Sequence, residues 1–312
     1  MLDLTVIILT YNEEIHIERC ICSLQPLAPK IFVVDSFSTD KTVEIAEGLG
    51  AKVFTNPFIN QAIQFQWGLD HCSIKTEWVL RLDADETIDD ELIRNINDFI
   101  DQDGKGCNGA VFNRKHIFLG KWIRFGGRYP LPMLRLFRYG TAHIEQRWMD
   151  EHIVLDEGKS ILLKGGFEDN NLNSVSWFID KHNKYATREV VDIYLKKLFP
   201  EADSEITKST NLGIKLKRIL KQELYLKLPY FVRPVLYFFY RYIVQLGFLD
   251  GARGFAYHFM QGFWYRCLVD LKCLELDRIL AGLIDDDKKL KALEVYSGFD
   301  LSTRHGKTRD AV

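Results

Sequence analysis

Two aspartates one residue apart, Asp83 and Asp85, directly follow the apolar run Trp78-Val79-Leu80-Arg81-Leu82. If that run is a strand, Asp83-Ala84-Asp85 stands on the rim of a sheet. The first carboxylate can then hold a ribose hydroxyl or a metal-bound water. The second can bind Mg²⁺ or Mn²⁺ directly, and the ion bridges two phosphates. Hard divalent cations take oxygen ligands and are usually held by one or two carboxylates plus substrate phosphates. Such an ion neutralises charge on a departing diphosphate. Asp-x-Asp alone is a common prelude to a helix. It gains weight from three other polar clusters that end or follow apolar runs: Thr10-Tyr11-Asn12-Glu13, Asp35-Ser36 and Asp40. Asp35 can accept from a base N–H or a ribose hydroxyl. The competing reading of Asp35 is a helix N-cap, a role that Ser38 or Thr39 fills better because they adjoin the helix. Arg81, and Gln64 with its neighbours Gln61 and Gln66, complete the candidate nucleotide contacts.

The elements that must place these groups follow from periodicity. Leu4–Leu9, Ile31–Asp35, Ala51–Thr55 and Trp78–Leu82 read as strands, the first rich in β-branched residues and buried on both faces. Helical patterns run to Leu24, from an opening at Thr39-Asp40-Lys41-Thr42 to about Leu49, from Gln61 to Cys72, and onward from near Asp89. Strands alternating with helices imply a parallel sheet covered on both faces, and ligands bind such sheets beyond the carboxyl ends of the strands. From about Gly109 to Gly166 the pattern becomes short strands and irregular segments rich in Arg, Gly and aromatics. Ser174–Leu198 returns to helix, and Pro200–Ser209 is polar and linker-like.

The composition, 47% hydrophobic and 27% charged with a net charge of -2, excludes a disordered or fibrous chain and gives no pull toward nucleic acid. Cys20, Cys22, Cys72, Cys107, Cys267 and Cys273 have no zinc-ligand spacing and read as reduced core thiols. Asp3 and the early Asn12-Glu13-Glu14 do not fit a signal peptide, so the expected site faces the cytoplasm. Gly104-Lys105-Gly106-Cys107-Asn108-Gly109 matches GxGxxG but follows a helix and precedes a strand, the reverse of a dinucleotide-binding context.

The runs LTVIILTYNEEIHIERCICSL, VVDSFSTDKT and WVLRLDADE resemble the N-terminal half of family 2 glycosyltransferases of the GT-A fold. The likeness continues through Gly126-Gly127-Arg128-Tyr129-Pro130, Arg135-Leu136-Phe137-Arg138 and Asp150-Glu151-His152, in the manner of the branch that builds lipopolysaccharide cores and bacterial exopolysaccharides. The resemblance implies an inverting transferase that uses Mn²⁺ or Mg²⁺ and moves a sugar from a nucleotide sugar, UDP-linked by default, to a lipid-linked glycan. It implies a single acidic base, Glu151 with Asp150 close behind, and His152 as a third metal ligand or phosphate contact. Arg128, Arg135 and Arg138 become candidates for the diphosphate or an acceptor phosphate. One departure is Phe167-Glu168-Asp169-Asn170-Asn171, where relatives in the core branch often carry a His; with Asp169 there, the metal shell differs and the exopolysaccharide role gains. Two rival functions are a nucleotidyltransferase, against which the Thr10–Glu14 loop argues because it is neither basic nor Gly-rich, and a non-catalytic scaffold on the same fold.

The C-terminal third is basic, then aromatic. Lys215, Lys217, Arg218 and Lys221 precede Val235–Val244, a run interrupted by Arg233 and Arg241 and too short and too charged to span a bilayer. Basic and aromatic amphipathic helices fit a monotopic membrane surface with anionic lipids. A helical subdomain or an oligomer interface is the competing reading. The expected organisation is a GT-A catalytic domain over 1–205 (donor half about 1–108, acceptor half about 109–205), a membrane-associating helical region over 206–300, and a polar tail over 301–312. The expected location is the cytoplasmic face of the inner membrane, without a membrane-spanning helix.

Overall fold

A segment as uniformly apolar as LTVIILT has no polar face to offer solvent, and the chain places it at the middle of a sheet. In the computed structural model, which describes residues 2–145, 152–199, 228–299 and 301, β1 (Leu4–Thr10) lies between β2 (Lys30–Asp35) and β4 (Trp78–Asp83), parallel to both. β3 (Lys52–Thr55) pairs with β2 outside them. Alternate residues then serve opposite faces. Leu4, Val6, Ile8, Leu80 and Leu82 join Ile17, Cys20, Ile21 and Leu24 of α1 (Ile17–Leu24), with Ala46 of α2 (Thr42–Gly48) in the same cluster. Ile7, Val34 and Val79 join Ala62, Phe65 and Leu69 of α3 (Gln61–His71) on the other face. Each fully buried Leu, Ile, Val or Phe among them contributes about 1.5–3 kcal/mol. Gly68 lets α3 approach closely: a Cβ there would lie 3.0 Å from Val34 Cγ2.

The remaining strands curl the sheet. The chain leaves β4 at Asp83 and turns at Ala84-Asp85 into β5 (Glu86–Ile88). Then follow α4 (Asp90–Asp101), β6 (Gly109–Phe118), β7 (Lys121–Trp122), β8 (Pro132–Arg138), the hairpin of β9 (Ala142–Ile144) and β10 (Ile153–Leu155), and β11 (Ser160–Asn170). The strand order is β3-β2-β1-β4-β8-β6-β11-β5, with β7 on β6. β5 thus follows β4 in sequence but pairs with β11 at the far end of the order. β8 runs antiparallel to β4 and β6, and β6 runs parallel to β11. The carboxyl ends of β1, β2, β4, β6 and β11 therefore share one edge. β5 is absent from the sequence expectation because three residues are too few to show a period. The helix expected near Asp89 begins there: Leu92 N donates to Asp89 Oδ1 at 2.7 Å.

The chain divides into two compact units, one of residues 1–173 with 243–255 and one of 174–242 with 256–312. The boundary expected at 205/206 falls outside the described residues. In the first unit, Asp250 accepts from the backbone N–H of Arg124 (3.2 Å) and Phe125 (2.9 Å). In the second, α5 (Val175–Leu198) starts at Ser174, whose hydroxyl accepts from Trp177 N. It packs against helices Tyr265–Leu280 and Asp286–Ser297. Among the described residues, no helix is long and apolar enough to cross a membrane. The six cysteines are free; Cys20, Cys72 and Cys273 are buried, whereas Cys22 is exposed on α1 rather than in the core.

Arg233 and Arg241 do not interrupt an apolar surface, as their positions in the sequence suggest. Both are buried. Arg233 Nε donates to Asp270 Oδ1 at 2.7 Å, its Nη2 donates to the same oxygen, and Asp270 Oδ2 accepts from Phe231 N at 2.8 Å. Removing one member of a buried ion pair strands the other charge, at a cost of about 3–5 kcal/mol. Asp270→Ala is therefore expected to lower the unfolding free energy, measured by urea titration, by an amount in that range. A paired Arg233→Met/Asp270→Leu variant should recover most of it.

Candidate active site

The donor-side rim is a lattice of short side-chain bonds between the loops after β1 and β2. Asp35, buried at the end of β2, accepts from Thr10 Oγ1 (2.8 Å), Ser38 N (2.7 Å) and Ser38 Oγ (2.5 Å). Asn12 occupies the left-handed region (φ 55°), which short amide side chains tolerate. Its N–H donates to Ser38 Oγ at 2.8 Å and its Oδ1 accepts from Thr39 N at 2.8 Å. Glu13 N donates to Thr42 Oγ1 and Glu14 N to Asp40 Oδ2. Burial works to raise the Asp40 carboxyl, but the Thr42 hydroxyl and the backbone donors of Thr42 and Glu14 hold it below its ordinary value. Asp35 thus shapes the 36–38 turn on the rim and does not start a helix; α2 begins at Thr42 after Lys41 without a side-chain cap at that position, so Ser38 and Thr39 do not cap it either. Tyr11 stands exposed beyond the end of β1.

His16 braces this lattice from below. Its Nε2 accepts from Leu172 N at 2.8 Å, so the proton sits on Nδ1, which donates to Glu13 Oε2 at 2.5 Å. Gln64, buried on α3, donates to Ser36 Oγ (3.0 Å) and Asn56 O (3.1 Å) and accepts from Asn56 Nδ2 (2.8 Å). Its place is beneath the rim, holding Ser36.

Asp83 and Asp85 stand at the carboxyl end of β4, both partly exposed. Asp83 lies 3.4 Å from Arg81 Nη2 and 3.9 Å from Arg135 Nη2. Burial opposes its ionisation, yet Arg81, Arg135 and Arg114 more than offset this and keep its carboxyl below the usual range. Asp85 Oδ2 accepts from Asn171 Nδ2 at 3.0 Å, and its carbonyl accepts from Arg19 Nη2 (3.0 Å) and Asn170 N (3.1 Å). Glu86 is the strut of the turn. Its Oε2 accepts from Asp83 N (2.9 Å) and its Oε1 from Arg135 Nη2 (2.6 Å). Burial pushes the Glu86 carboxyl up to about 8, with Arg135 opposing and Asp83 adding to the rise.

A second layer lies on β6 and β11. Asp169 pairs with Arg114 and accepts from His116 Nδ1 at 2.9 Å. Burial disfavours its charge, but Arg114 and His116 hold its carboxyl well below the ordinary value. His116 is pushed down by burial, with Asp169 opposing. Glu86, Asp169 and His116 are register neighbours across β5, β11 and β6, so this layer adjoins the Asp83–Asp85 turn. Sequence reading missed Glu86, Arg114 and His116. The available signal was Arg114-Lys115-His116 near the carboxyl end of a parallel strand, with alternate residues facing one side. Lys115, on the other face, reaches Asp89 at 2.6 Å instead.

The other expected site residues fare differently. Arg138 pairs in register with Trp78 at the opposite end of β4 from Asp83, where it bridges Glu77 and Asp103 and covers the Trp78 ring. His152 is exposed beside Glu145 at 3.4 Å. Asp150 and Glu151 lie outside the described residues. Among the described residues no three His, Cys, Asp or Glu side chains group as a metal cage. Asp83 and Asp85 are oxygen donors, and Asp83 is held ionised, which fits a hard divalent ion completed by substrate phosphates.

The family model described as "Glycosyl transferase family 2" matches residues 5–163, just over half the chain. An uncharacterized glycosyltransferase of Rickettsia bellii is 45% identical over 89 residues, 28% of this chain and 30% of that protein. The lipopolysaccharide core biosynthesis glycosyltransferase LpsC of Rhizobium meliloti is 35% identical over 96 residues, 29% of this chain and 34% of that protein. The matches thus span about a third of these relatives. Among solved structures, S. aureus TarS 1-349 in complex with UDP-GlcNAc aligns with a TM-score of 0.45 and 16% identity, covering 97% of this chain and 92% of that one. Glucosyl-3-phosphoglycerate synthase from Mycobacterium tuberculosis, in complex with Mn2+, UDP and glucosyl-3-phosphoglycerate, aligns with a TM-score of 0.29 and 22% identity, covering 36% of this chain and 44% of that one.

Proposed function

The chain belongs to glycosyl transferase family 2, and we propose that it is an inverting enzyme moving a sugar from a UDP-sugar to a lipid-linked glycan in bacterial lipopolysaccharide, O-antigen or exopolysaccharide synthesis. The observation that carries this reading is the Asp83-Ala84-Asp85 turn at the end of β4, with Asp83 kept ionised beside Arg81 and Arg135. The rim groups Thr10, Tyr11, Asn12, Glu13, Asp35 and Asp40 receive the nucleoside, and the Tyr11 ring offers a face to the base. Mg²⁺ or Mn²⁺ held by Asp83 and Asp85 supplies charge neutralisation for the leaving diphosphate. Arg135 and Arg128 are the protein's own cations for phosphate oxygens, to which guanidinium suits bidentate contact. Glu151, with Asp150 beside it, takes the proton of the acceptor hydroxyl. The similarity to LpsC supports a lipopolysaccharide setting. The chain works at the cytoplasmic face of the inner membrane, where lipid-linked acceptors are displayed.

A thermal-shift panel of nucleotide sugars with Mn²⁺ or Mg²⁺ tests the donor half without an acceptor. A donor at about 100 times its Kd stabilises the fold by about 2.7 kcal/mol. For a unit of this size, at about 2–4 °C per kcal/mol, that is a rise of about 5–11 °C in Tm. The expected result is a shift with UDP-sugars that chelation removes. A flat panel with a folded chain would leave a scaffold as the better description.

A further inference from the structure

The helix Val232–Phe239 and its wider-turn continuation at Tyr240 are amphipathic in the inverted sense. Val232, Val235, Leu236, Phe239 and Tyr240, spaced i, i+3, i+4, i+7 and i+8, face outward, each 39–55% exposed. The cations of the same stretch, Arg233 and Arg241, face inward and are 4% and 5% exposed. Asp270 holds Arg233 there, and Arg241 lies 5.6 Å from the Tyr237 ring and 5.8 Å from the Tyr257 ring. The charges that make this run look polar in sequence are thus withdrawn from its surface.

We infer that this outward stripe inserts into the headgroup boundary of an anionic bilayer. Three observations choose the occupant. The helix has eight residues, or about 12 Å at ~1.5 Å per residue, against a hydrocarbon core of about 30 Å, so it lies in the interface and does not span. Its face offers on the order of 100–200 Å² at a helix width of about 10 Å, far below the roughly 800 Å² per partner of a standard protein interface, which argues against a second copy. Lys215, Lys217, Arg218, Lys221 and Lys227 precede the stripe in sequence, a charge complement to anionic head groups. The purpose of the surface, bringing a lipid-linked acceptor to the enzyme, rests on the transferase reading; the binding itself does not.

The test is co-sedimentation of the full chain with phosphatidylcholine vesicles and with vesicles that also contain phosphatidylglycerol. The expected result is binding to the anionic vesicles, reduced at least tenfold by Leu236→Glu/Phe239→Glu. The control Ile284→Glu/Val295→Glu, which changes apolar residues exposed elsewhere in the same unit, should bind as the parent does. Unaltered melting temperatures and donor-induced shifts show that the variants are folded and that the catalytic reading stands or falls separately. Equal binding by stripe and control variants overturns the inference. So does concentration-dependent dimerisation, measured by light scattering without lipid, that the stripe variant abolishes.

Discussion

Asp85→Ala is expected to lower sugar transfer by about 10³-fold, about 4 kcal/mol of transition-state stabilisation, and to abolish metal-dependent nucleotide binding while the chain stays folded. Asp85 is the cleaner of the two aspartates to remove. Its carbonyl receives Arg19 and Asn170, and truncation of the side chain leaves these bonds of the turn in place. The side chain gives up the bond from Asn171 at 3.0 Å and its attraction to Arg19. Asp83→Ala instead removes the carboxylate facing both Arg81 and Arg135 and so mixes a stability loss with a binding loss. Calorimetric titration of UDP with and without Mn²⁺ and release of nucleoside diphosphate during turnover measure the two effects. Full turnover by a folded Asp85→Ala protein would remove the metal from this site.

What the sequence made legible follows from the kind of signal each part carries. β1, β2 and β4 announce themselves as uninterrupted apolar runs because both faces are covered, and their polar ends mark the rim directly. Thr10, Asn12, Asp35, Asp40, Asp83 and Asp85 therefore fall on one edge, as strand alternation with helices demands. Glu86 was hidden because it looks like a third exposed acid, whereas curling of the sheet buries it under Arg135. Arg114 and His116 were hidden because β6 is half-buried and mixed in character; only its pairing with β11 gives them Asp169 as a shared partner. Arg138 misled for the complementary reason: arginines three residues apart look like one cluster in sequence but separate along the strand, Arg138 opposite Trp78 and Arg135 beside Asp83. Arg233 and Arg241 misled in the same way on a helix, since their inward partners come from residues distant in the chain.

Glu151→Gln is expected to reduce turnover by about 10²–10⁴-fold, the range for loss of a general base, while donor binding in the thermal-shift assay stays as in the parent. An inverting displacement needs one group to accept the acceptor's proton, and an amide of the same shape cannot. Among the described residues, the ends of the segment that carries Asp150 and Glu151 are clamped: Glu145 N donates to His152 O at 2.9 Å, and β9 and β10 pair antiparallel behind it. A base must be deprotonated to act, so the parent's rate should fall as pH drops through the base's titration, and the Gln variant should lose that limb while retaining a small pH-independent rate. A lost acidic limb with unchanged donor binding separates a chemical role from a structural one. The same loss in Asp150→Asn, with Glu151→Gln near parental, would assign the base to Asp150. Near-parental rates in both would move it to another acid, and the register of β5, β11 and β6 makes Asp169 the next to test.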